Sequence, residues 1–105
     1  MSVSAFQPDP QERRGAERSK VSIGASIRDQ NGNRLRVMID ELSATGFRCE
    51  YILTIEAGTL IWVTLPDMAP MSARAIRFNA FIYAFAFEVP LHDAVVDHLL
   101  RRFAV

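Results

Sequence analysis

From Lys20 the apolar residues of this 105-residue chain fall into short segments, most of them alternating at every second position, and near the C-terminus the period changes. Successive side chains of a strand point to opposite faces, so period two marks extended segments with one buried face. Val21, Ile23, Ala25 and Ile27 form the apolar set of the first segment, against Ser22, Gly24, Ser26 and Arg28. Asp29-Gln30-Asn31-Gly32-Asn33 follows, and its Asn-Gly step supplies the positive φ of a hairpin turn. The second segment, 34–42, sets Leu35, Val37 and Ile39 against Arg36, Met38 and Asp40. Ser43-Ala44-Thr45-Gly46 breaks it, and extended structure resumes over 47–51. Further strands are expected over 60–65, closed by Pro66-Asp67, and over 71–78, with Arg74 and Arg77 exposed. A last strand from Phe81 places Phe81, Tyr83, Phe85 and Phe87 on one face and Ile82, Ala84, Ala86 and Glu88 on the other. The aromatic row reads as core, because aromatics dominate buried area.

Leu91, Val95, Leu99 and Phe103 then recur near 3.6-residue spacing, joined by Val96 and Leu100. Asp93 at the start and Arg101-Arg102 at the end suit a helix dipole, so an amphipathic helix is expected over 91–103. About six short strands and one helix predict a mainly all-β fold, a small antiparallel barrel plugged or flanked by that helix. Residues 1–11, with Pro8 and Pro10, read as a flexible tail, and 12–105 as one domain.

Half of the residues are hydrophobic, enough for a core without a metal or disulfide. Twelve basic and twelve acidic residues balance, which disfavours a general nucleic-acid binder despite the exposed Arg28, Arg34 and Arg36. Cys49 is the only cysteine, so neither an internal disulfide nor a cysteine zinc site is expected, and a reduced cytoplasmic setting follows. The N-terminus lacks the apolar region of a secretory signal, and no apolar run approaches the ~18 residues of a membrane span.

Two short motifs stand out against this background. Glu12-Arg13-Arg14-Gly15-Ala16-Glu17-Arg18 places three guanidinium groups just before the first strand. Glu41-Leu42-Ser43-Ala44-Thr45-Gly46 places a carboxylate, a hydroxyl and a glycine at the end of the second. A guanidinium is always charged, forks its donors in a plane and stacks on flat rings. It pairs with phosphates and with the O6 and N7 acceptors of guanine. The Glu41 carboxylate can accept from the guanine N1–H and N2 donors. Gly46 suits a tight turn or a close backbone approach. Taken singly, the first motif also fits a solvated charged segment, and the second an ordinary turn between strands.

Taken together, Arg14-x-x-x-Arg18 and Ser43-x-x-Gly46 at the end of the second strand resemble the PilZ domain family, and the segment Tyr83-Ala84-Phe85-Ala86-Phe87 is similar to the strand before that family's helix. The resemblance spans roughly residues 11–104. It implies a six-stranded antiparallel barrel of PilZ type with a C-terminal helix, and a receptor for the bacterial second messenger cyclic di-GMP. Arg14 and Arg18 would then be the principal ligand arginines, assisted by Arg13, with Glu41, Ser43 and Gly46 supporting the ligand on the barrel. Glu41 departs from the Asp or Asn usual there. Asp40 would point away from the site of Glu41 unless a bulge intervenes.

The resemblance further implies a non-enzymatic module, a monomer or weak homodimer, that relays the nucleotide to a protein partner in trans during motility or biofilm regulation. The alternative is a PilZ-like interaction module that no longer binds nucleotide. No metal site is expected, since His92 and His98 lie on roughly opposite sides of the helix. Asp40 and Glu41 are adjacent and suggest no catalytic carboxylate pair. Cys49 reads as a small buried hydrophobe.

Overall fold

The computed structural model describes residues 17–105. Six strands follow in chain order: β1 (Ser19–Arg28), β2 (Arg34–Leu42), β3 (Gly46–Glu50), β4 (Leu60–Thr64), β5 (Met71–Asn79) and β6 (Ile82–Phe87). One helix, α1 (Asp93–Phe103), ends the fold. Every strand pairing is antiparallel, and the order β1-β2-β3-β6-β5-β4 closes where β4 pairs with β1. Closure leaves no open sheet edge, which suits a short chain with many strands.

Alternation decides the inside of the barrel. Val21, Ile23, Ala25 and Ile27 of β1 are all buried, and they meet Ile39, Leu42, Ile61 and Val63 in one core. The β3–β6 half supplies the aromatics. The Phe47 and Phe85 rings stack at 5.0 Å, and Tyr51 meets Tyr83 edge to face at 5.7 Å. The Tyr83 hydroxyl accepts a hydrogen bond from the Ile55 amide at 3.0 Å, tying the β3–β4 connection to the barrel.

The turns have identifiable causes. Between β1 and β2, Gly32 sits at φ 86°, and the buried Asp29 carboxylate accepts from the Asn31 and Asn33 amides and from the Asn33 side chain, each at 2.9 Å. The Asn33 side-chain bond, with the turn amides, holds the Asp29 carboxyl below its ordinary pKa. A two-residue turn joins β5 to β6, with Asn79 opposite Ile82 and both Ala80 and Phe81 at positive φ, 52° and 62°. That geometry matches the strand twist but costs a residue with a Cβ on the order of 1–2 kcal/mol. It also overturns one expectation. Phe81 belongs to the turn, not to the inward aromatic row, and is 59% exposed.

Helix α1 begins two residues later than its periodicity suggests. Leu91 is buried, but His92 is extended and acts as the N-cap, its Nδ1 accepting from the Ala94 amide at 3.1 Å. Val96 and Leu99 face the core, and Asp93 and Arg101-Arg102 occupy the first and last turns. Just beyond the helix, Ala104 makes an antiparallel bridge to Val21, fixing the chain end against β1.

Candidate functional site

Strand pairing brings the two motifs together. Ser19 lies opposite Leu42 and Lys20 opposite Glu41, so the chain entering β1 runs past the exit of β2. The Arg18 guanidinium lies 3.6 Å from the Glu41 carboxylate. Arg13, Arg14 and the tail 1–11 lie outside the described residues.

Ser43 and Gly46 build the turn from β2 to β3. The Ser43 side chain is buried, and its hydroxyl accepts from the Thr45 and Gly46 amides at 3.2 Å each. The Ser43 amide donates to the Gly46 carbonyl at 2.9 Å. Gly46 is opposite Ala86 on β6, and a Cβ there would stand 2.1 Å from the Phe85 carbonyl oxygen. The glycine is therefore required by the close approach of β3 to β6, and the serine by the amides it satisfies.

Asp40 and Arg48 enter the site through a bulge. Ile39 pairs with Cys49, but Glu41 pairs with Arg48, so two residues of β2 oppose one of β3. The extra residue is Asp40, and the bulge turns its side chain to the side of Glu41. Both carboxylates then grip one guanidinium. Arg48 donates from Nε to Asp40 Oδ1 at 3.0 Å and from Nη2 to Asp40 Oδ2 at 3.1 Å, while its Nη1 lies 3.3 Å from Glu41 Oε2. The hydrogen bond and charge of Asp40, with the charge of Glu41, push the Arg48 pKa further up. Sequence reasoning missed Arg48, although alternation signalled it: Phe47 and Cys49 on either side are buried, which aims Arg48 outward.

The same alternation lays out the barrel surface beside the turn. Arg48 is opposite Ala84 on β6, and Ala84 is opposite Arg77 on β5. With Lys20 and Glu41, a single row crosses five strands: Lys20, Glu41, Arg48, Ala84, Arg77. A bulge in β5, at Ile76, pushes that side chain out beside Arg77. Arg18, Arg48, Arg77, Asn79, Ile82 and Ala84 line an open groove of about 380 Å³. A smaller hollow of about 120 Å³, reaching Glu41, Ser43, Gly46 and Ala86, shares Arg18, Arg48 and Ala84 with it. Of these two, the groove falls within the ~300–1,000 Å³ of small-molecule sites. Its rim is cationic and its floor, at Ala84, is low.

Other reactive groups lie elsewhere. Cys49 is buried inside the barrel, and desolvation, then the charges of Asp40 and Glu50, push its thiol up to about 12. A thiol so held is protonated at neutral pH and a poor nucleophile. Among the described residues no three side chains cluster as metal ligands, and no helix is long and apolar enough to cross a membrane.

No protein-family model matches the chain, and no curated protein sequence matches it. Among solved structures, the PilZ domain of CeSA from a cellulose-synthesizing bacterium is similar with a TM-score of 0.59 at 16% identity, over 83% of this chain and 93% of that one. The six-stranded closed barrel, its strand order and its C-terminal helix together give this chain the PilZ fold.

Proposed function

We propose that the groove binds cyclic di-GMP and that the domain relays its presence to a protein partner in trans, without catalysing a reaction. One observation carries this reading: Arg18 of the first motif meets Glu41 of the second at the hollow that adjoins the groove through Arg18, Arg48 and Ala84. Arg14 and Arg18, assisted by Arg13, engage phosphate and guanine edges. Glu41 accepts from the guanine N1–H and N2 donors, and Ser43 and Gly46 hold the turn against which the ligand rests. A ligand engaging Arg18 and Glu41 reshapes the adjoining barrel surface, which a protein partner then reads. The setting consistent with this role is the bacterial cytoplasm.

Titration calorimetry with cyclic di-GMP tests the reading. Micromolar or tighter binding, lost in Arg14→Ala and in Arg18→Ala, is expected. No heat at ligand concentrations of about a millimolar, an affinity near −4 kcal/mol, would overturn it.

A second reading is favoured by a specific contact. Glu41 already faces two guanidinium groups, at 3.6 and 3.3 Å. A carboxylate engaged in this way competes with a ligand for Arg18, as befits an interaction module that no longer takes nucleotide. Glu41→Asp discriminates: binding that appears only in the variant establishes this second reading.

A further inference from the structure

We propose that Arg48, Ala84 and Arg77 form a guanine-selective base subsite on the outer face of β3, β6 and β5, in which the base lies on the face of the Arg48 guanidinium and Arg77 reads its acceptor edge. The proposal deepens the nucleotide reading above and rests on it. It concerns three residues outside the two motifs.

The two arginines are not equivalent. Every nitrogen of the Arg48 guanidinium is directed at a carboxylate, two at Asp40 and one at Glu41. Its edge is therefore occupied and its charge locally balanced, so it is poorly suited to an incoming phosphate. What remains is its flat face, which stacks well on a neutral aromatic ring. The two carboxylates also hold the group in one orientation, which lowers the ordering cost of binding. Arg77 is exposed and makes no ion pair among the described residues, so its fork of donors is available.

Register sets the spacing between them. Arg48 and Arg77 flank Ala84 directly across the ladder, two strand spacings or about 10 Å apart at the backbone. Only a methyl group stands between the two long side chains, leaving room for one flat ring. A ring lying on the Arg48 face and reaching over Ala84 presents its far edge to Arg77. Guanine offers O6 and N7 there, two acceptors matched to a guanidinium fork, whereas adenine offers one acceptor and the N6 donor. The groove at this row has the volume of a small-molecule site, and the hollow at the Ser43–Gly46 turn adjoins it through Arg18, Arg48 and Ala84.

The test is calorimetry of the full chain with cyclic di-GMP and with cyclic di-AMP, for the native protein, Arg77→Ala, Arg77→Lys and Arg18→Ala. Thermal unfolding of each variant verifies that it is folded. Arg77→Ala is expected to weaken cyclic di-GMP about tenfold and leave cyclic di-AMP unchanged, collapsing the selectivity. Arg77→Lys keeps the charge but loses the fork, and is expected not to restore it. Equal weakening of both nucleotides in Arg77→Ala, or rescue by lysine, would reduce Arg77 to a source of positive charge and overturn the subsite. If Arg18→Ala abolishes binding while Arg77→Ala binds like the native protein, the subsite falls and the nucleotide reading stands. If the native protein binds neither nucleotide, both fall.

Discussion

Strands β3 and β6 carry two unlike surfaces on the same ten or so residues. Inward, Phe47, Cys49, Tyr83, Phe85 and Phe87 pack the aromatic half of the core. Outward, Gly46, Arg48, Ala84 and Ala86 present a low floor edged by a guanidinium. The pleat keeps these two sets apart, so one can hold the barrel together while the other shapes a groove. Volume is filled on the inside and withheld on the outside. The outward face stays low because Ala84 floors the groove, and Gly46 and Ala86 the adjoining hollow, with small residues.

Substitutions can break or sharpen this contrast, and Phe85→Ala should have the largest effect. Phe85 is fully buried, stacks on Phe47 and also packs near Tyr51 and Tyr83. Its truncation should lower unfolding free energy by about 3–5 kcal/mol in urea denaturation. A loss below about 1 kcal/mol would mean that the aromatic half of the core is not where stability resides.

Gly46→Ala should come next. The new methyl group would press on the Phe85 carbonyl, and backbone cannot rotate aside as a side chain can. A destabilisation of roughly 1–3 kcal/mol is expected from the strand shift it forces. This outward residue would then behave like a core residue, showing that its glycine answers to the approach of β6 before it answers to any ligand. Neutral behaviour in thermal unfolding would return Gly46 to a purely ligand-facing role.

Ala84→Leu should have the smallest effect on stability, about 1 kcal/mol, because Ala84 is covered by its neighbours but faces the groove and not the core. If the groove takes nucleotide as proposed, the same substitution fills its floor and should abolish binding in calorimetry. Stability lost without binding lost would reverse the division of labour between the two faces.

The barrel was largely legible in the sequence because its signal is local. Alternation over Val21–Ile27 and over Tyr83–Phe87 marks which residues face inward without knowledge of any partner strand. Phe81 broke the pattern because a two-residue turn needed positive φ at its position, and neither Ala80 nor Phe81 is the glycine or asparagine that would mark such a turn. The site was half legible. The motifs holding Arg18 and Glu41 were visible, and pairing of β1 with β2 brings them together. Ser43 and Gly46 were noticed as ligand residues, whereas the geometry first accounts for them as the makers of a turn and of a close strand contact. Strict alternation aims Asp40 away from Glu41, and the bulge opposite β3 brings both carboxylates onto Arg48.

What the sequence determined by itself is the face each residue takes along its own strand, since the pleat and the hydrophobic effect act over neighbours. What the tertiary structure decided is which strands lie side by side and in what register. β3 meets β6 across a long connection, so Arg48 joins Ala84 and Arg77 in one row although it lies far from both in sequence. Register and bulges are settled by closing the barrel around a filled core, a condition on all six strands at once that no local stretch of sequence can state.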